Sequence, residues 1–144
     1  MPRPALIRTI AALAGTALLT LGGTTATASA APSAILAAPP GACLMISTSF
    51  GQTCFEWDGD DQWVRDTDAN GWTTVAEVRT NYDKFRECAA PPAADGWKEC
   101  NFDHRETGCV SFRLIEKRGG ELGRRTAWTE YYGANNGRYC GFET

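Results

Sequence analysis

Cys109-Val-Ser-Phe-Arg-Leu-Ile-Glu-Lys117 is the stretch that decides the fold. Val110, Phe112 and Leu114 recur at every second position, and Ser111, Arg113 and Glu116 are left free for water. A period of two is that of a half-buried β-strand, and Gly119-Gly120 closes it with turn residues. Working outward, the same grammar repeats as short alternating runs between turns. Residues 44–50 end at Gly51. Residues 53–57 end at Asp58-Gly59-Asp60-Asp61, and residues 62–65 lead into the polar run 66–71. Residues 73–80 place Ala76, Val78 and Thr80 on one side, with Glu77 and Arg79 on the other. Residues 126–132 alternate again before the turn at 133–137. Turn signals every eight to twelve residues predict a mainly β fold, a small antiparallel sandwich or barrel. Val75, Val78, Tyr82 and Phe85 also fit one helix face, so a short helix near 81–87 competes with the β reading. Residues 89–98, with Pro91-Pro92 and Gly96, read as a loop.

The first thirty residues differ from the rest. Arg3 and Arg8 precede an uncharged apolar run from Ile10 to Leu21, and Ala28-Ser29-Ala30 follows. That order is the one signal peptidase reads. A run this short falls below the ~20 residues needed to span a bilayer. The expectation is a signal peptide over 1–30, an Ala/Pro-rich flexible lead-in over 31–42, and one extracellular β domain over 43–144. Cleavage there leaves 114 of the 144 residues, with 12 basic against 17 acidic side chains, a net charge of −5. An acidic surface argues against nucleic acid and anionic membranes as partners. A monomer without a membrane span is expected.

All six cysteines follow the leader. An even count in a small exported domain reads as three disulfides. Zinc is disfavoured because there is no Cys-x-x-Cys and only one histidine. Cys88 and Cys100 flank one Pro- and Gly-containing loop, so their pairing costs little chain entropy. Elimination then leans to Cys43–Cys54 and Cys109–Cys140, although six cysteines allow 15 pairings.

Four patterns carry possible chemistry. Asp66-x-Asp68-x-Asn70-Gly71, followed by Glu77, fits the twelve-position calcium loop. Asp66, Asp68, Asn70 and Glu77 would supply side-chain oxygens, and Trp72 its carbonyl. The flanks do not read as helices, and a polar hairpin turn uses the same residues. No other cofactor is expected. His104, in Asp103-His104-Arg105-Glu106, could serve as a general base beside a carboxylate. No nucleophile signature accompanies it, and a solvated histidine at a strand end is expected instead. The carboxylate pairs Asp60/Asp61 and Glu99/Asp103 suggest glycoside hydrolysis. Among 17 acids such pairs arise by chance, and the domain leaves little room for a sugar cleft. Among five tryptophans, Trp72 and Trp97 sit in polar loops and are the candidates for an exposed ligand platform. Trp63 and Trp128 are expected in the core.

The segment Trp63-Val-Arg-Asp-Thr-Asp-Ala-Asn-Gly-Trp-Thr-Thr-Val-Ala-Glu-Val, with Arg86-Glu-Cys, Gly96-Trp-Lys-Glu-Cys100 and Val110-Ser-Phe-Arg, resembles small secreted actinomycete proteins of uncharacterised function. The likeness covers about residues 54–132. It implies secretion and a compact β fold, but no activity and no site residues. The expected function is therefore a secreted, non-catalytic module binding an extracellular polymer or protein. A protease inhibitor presenting the loop 89–99 and a small hydrolase using His104 are the alternatives.

Overall fold

The computed structural model describes residues 38, 39 and 41–141; the expected signal peptide, and most of the expected lead-in, lie outside the described residues. The described chain is built from nine strands: β1 (Cys43–Ser47), β2 (Gly51–Glu56), β3 (Asp61–Asp66), β4 (Thr73–Thr80), β5 (Phe85–Ala89), β6 (Lys98–Asn101), β7 (Cys109–Arg118), β8 (Glu121–Arg125) and β9 (Tyr132–Gly133). One 3-10 turn, Ala93–Asp95, interrupts the loop between β5 and β6. The strands form two antiparallel sheets. One has the order β1-β2-β3-β6, the other β5-β4-β7-β8, with β9 also paired to β7. No helix among the described residues is long and apolar enough to cross a membrane.

The alternation read from β7 sets how the sheets meet. β4 and β7 pair from Thr73↔Lys117 to Thr80↔Val110, which brings Ala76 opposite Leu114 and Val78 opposite Phe112. Directly opposed side chains in an antiparallel pair share a face. Ala76, Cys88 and Leu114 therefore point inward, where they meet Phe50 and Val64 of the other sheet's side. Val78, Val110 and Phe112 meet Phe55 in the same way. The two sheets enclose this core as a β-sandwich.

Three disulfides join Cys43 to Cys54, Cys88 to Cys100, and Cys109 to Cys140. Cys88 and Cys100 lie on different sheets, so their bond ties the two layers together. Such bonds persist in oxidising compartments.

Three local expectations change. Residues 81–84 form a turn, and β5 replaces the competing helix. Residues 126–131 run beside β7 but are not a strand. There the hydroxyls of Thr126 and Thr129 accept the Leu114 and Phe112 amide hydrogens at 3.1 and 3.0 Å, in place of backbone carbonyls. Trp128 is half-buried on an outer face and outside the core, whereas Trp63 is buried.

Candidate functional site

The polar turn after β3 holds together by its own short side chains. Asp66 accepts the Asp68 amide at 2.8 Å through one oxygen and the Thr74 amide at 3.2 Å through the other. Asn70 Oδ1 accepts the Trp72 amide at 2.8 Å. Gly71 takes φ +78°, a conformation that side-chain-bearing residues adopt only with strain. These are the bonds of an Asx-stabilised turn.

The expected metal ligands do not all converge. Asp68 and Asn70 are joined by Glu116 and Arg124, two residues the calcium pattern does not contain. Asn70 Nδ2 donates to Asp68 at 2.9 Å and to Glu116 at 3.0 Å. Arg124 donates to Asp68 at 2.5 Å and to Glu116 at 2.6 and 2.7 Å. The Arg124 hydrogen bonds hold the Glu116 carboxyl down at about 2 despite its burial. Glu77 lies elsewhere, bonded to Arg113 at 2.7 Å and near Lys117 at 3.7 Å. On β4 it faces outward with Arg79, while the turn is closed from the opposite strand. Among the described residues no group of three or more His, Cys, Asp or Glu side chains is arranged to hold a metal ion.

Glu116 had a legible signal. The expectation leaves it free for water together with Ser111, yet both are buried, 3 and 0 % exposed. Glu116 is in phase with Leu114, not with Arg113, and Ser111 is covered by residues 126–131. Arg124 had none, because its role depends on the β7–β8 hairpin folding back over the turn.

Trp72 closes one side of a groove of about 370 Å³. Ala69 and Gly71 of the turn, and Ala90, Pro91, Pro92 and Ala93 of the disulfide-closed loop, complete the walls, with Asp66, Asp68 and Thr73 as polar lining. Both walls are held by further contacts. The Arg118 guanidinium sits 4.3 Å from the centroid of Trp72, and a Cβ on Gly123 would come within 3.0 Å of that ring. The opposite wall is fixed by its prolines and by the Asp95 amide bonding to the Pro92 carbonyl at 2.8 Å. Residues 90–93 of the loop thus form a wall, while Ala94, Asp95, Lys98 and Glu99 are exposed.

Trp97 does not join Trp72. It is only 5 % exposed and packs with Trp63, Cys54 and Cys43 on the outer side of the first sheet. Its loop is polar in sequence, but the neighbouring cystine and indole supply an apolar bed.

His104 is also buried, 5 % exposed, not solvated. Its ring lies edge-on to Phe55 and Phe102, and Nδ1 is 3.1 Å from the Tyr82 hydroxyl. Burial, reinforced by Arg86, lowers its pKa to about 4. Asp60 beside it is raised to about 6 by burial and by Glu106 and Asp103. Asp61 is raised by burial and by Glu99 and Glu56.

These shifts oppose one another in stability. Neutral His104 stabilises the fold above its unfolded pKa near 6.5, and that stability is lost as pH falls from there towards 4. Protonated Asp60 stabilises it at low pH, and that stability is lost as pH rises from about 3.8 towards 6. In an Asp60→Asn variant the Asp60 limb is gone and the histidine limb is no longer offset by it. Its stability should therefore fall more steeply than wild type between pH 6.5 and 4, approaching about one proton in slope. Urea midpoints across that range decide it; parallel curves for the two proteins would refute the assignment.

Comparison with models of known families, with curated proteins and with solved structures gives no match to this chain.

Proposed function

We propose that this chain is a secreted, non-catalytic module that binds an extracellular polymer or protein in the groove between the turn 66–73 and the loop 90–93. The preformed cleft walled by Trp72 is the observation that carries this reading. Ligand sites are typically concave, largely apolar and built before the ligand arrives. The polar groups placed here are carboxylates, acceptors for hydroxyl or amine donors on the ligand. The buried His104, packed against aromatic rings away from this groove's lining, supports binding over hydrolysis. The use of residues 90–93 as one side of this groove supports a binding cleft over an inhibitory segment.

The test is titration calorimetry of the exported domain against soluble wall polysaccharide and against secreted proteins from the culture medium. Trp72→Ala should weaken binding about tenfold, equivalent to ~1.4 kcal/mol. Ala93→Arg, which fills the groove without touching Trp72, should abolish it. Wild-type affinity in both variants would place the binding surface elsewhere.

A further inference from the structure

The outward face of the β5-β4-β7-β8 sheet carries a second arrangement, independent of the groove. Trp128 lies between two guanidinium groups, Arg79 and Arg113, each 4.5 Å from the indole centroid. Tyr131 lies 5.3 Å from Arg79. Phe85 meets Trp128 edge-on at 6.5 Å and is 51 % exposed. Register explains the assembly. Phe85 stands opposite Arg79 on β4, and Arg79 opposite Ser111 on β7. Arg125 stands opposite Ile115, on the same face.

The charges on this face are not balanced. Arg113 is paired with Glu77, and Lys117 with Glu77 and Glu87. Arg79 and Arg125 have no carboxylate partner among the described residues. Stacking on indole and phenol fixes the Arg79 plane and leaves donors at its edge, the geometry that receives a carboxylate. Arg65, Arg86, Arg105 and Arg138 also lack a carboxylate partner among the described residues, and Arg79 Nε donates to Ser111 at 3.4 Å. What distinguishes Arg79 and Arg125 is that both lie on the one sheet face that carries these aromatic rings.

We propose that this face docks an extended acidic segment of another protein. Ser111 and Ile115, which mark the positions of Arg79 and Arg125, are four residues apart on β7. At about 3.4 Å per residue these marks are roughly 14 Å apart along the strand, and Arg79 on β4 and Arg125 on β8 flank β7 from opposite sides, a further ~10 Å across. An extended chain crossing the strands obliquely, with carboxylates at positions i and i+4, presents them on one side roughly 14 Å apart, and the two long arginine side chains span the difference. Phe85 adds an exposed apolar surface beside the guanidiniums, which an apolar side chain between the two carboxylates of a peptide would cover. Tryptophan, tyrosine and arginine together are also the residues that dominate protein interfaces.

The probe is a synthetic peptide with Glu at every fourth position and Leu midway, against an identical peptide carrying Gln for Glu. Polygalacturonate serves as the anionic glycan. Binding to the exported domain is followed by calorimetry at low and high salt. The Glu peptide should bind, lose affinity at high salt, and weaken at least tenfold in the Arg79→Gln/Arg125→Gln double variant. Phe85→Ala, which removes a surface side chain without opening the core, should weaken it several-fold at an unchanged thermal midpoint. Trp72→Ala should leave it unaltered. The proposal is overturned if the Glu peptide does not bind, if the Gln peptide binds as well, if the variants bind like wild type, or if polygalacturonate binds as tightly as the peptide.

Discussion

Replacing Cys88 and Cys100 together with alanine should cost about 4 kcal/mol of unfolding free energy, more than replacing Cys109 and Cys140. Loop-closure entropy alone assigns about 3 kcal/mol to a loop of this size. It would rank the Cys109–Cys140 bond higher, because that bond closes a separation of 31 residues against 12. Packing reverses the order. Cys88 is fully buried among Phe50, Val64, Ala76 and Leu114, so truncating it removes core contacts as well as the covalent tie between sheets. Cys109 is 8 % exposed and belongs to neither inter-sheet cluster, and Cys140 is half-exposed, so truncating that pair removes fewer core contacts. Urea unfolding of the two double variants measures both costs. A ranking that follows loop length would show that the inter-sheet position adds nothing.

The second large effect is expected at Arg124. In the wild-type protein its guanidinium occupies the carboxylates of Asp68 and Glu116. Several millimolar calcium should therefore leave the thermal midpoint unchanged. Arg124→Ala exposes those carboxylates beside the Asn70 side chain, whose oxygen stays engaged by the Trp72 amide. Glu116, whose side chain is only 4 % exposed, is left as an unmatched buried charge. That variant should be clearly less stable at neutral pH. Calcium should then restore part of the loss, about 1.4 kcal/mol at a tenfold excess over the dissociation constant.

The pH response distinguishes this account from a general loss of packing. Glu116 has a lowered carboxyl pKa in the folded wild type, so its contribution is present above pH 4.5 and is lost as pH falls towards 2. Arg124→Ala should flatten that acid limb. If calcium stabilises the wild type and the variant equally, Arg124 does not stand where a cation would.

Sequence determined the elements whose information is local. The alternation in 73–80 and 109–117 specified β4, β7 and their inward faces, because a strand's side-chain period is independent of its neighbours. Even cysteine number and short loop spacing pointed to three disulfides. Asp, Asn and Gly at 66–71 marked a tight polar turn, because their side chains bond the backbone two residues away. What depended on distant strands was not legible. Trp97 and His104 sit in polar stretches, and only the cystine, Trp63, Phe55 and Phe102 brought up from elsewhere bury them. Residues 126–131 alternate like a strand, yet threonine hydroxyls displace their carbonyls from β7. Glu77 has the right spacing for a cation loop, but a β-strand turns it to the outer face. Arg124, which fills the cation position beside Asp68, arrives across 56 residues of chain. Spacing along one strand fixes which face a side chain takes, while its partner on that face is set by the pairing of sheets.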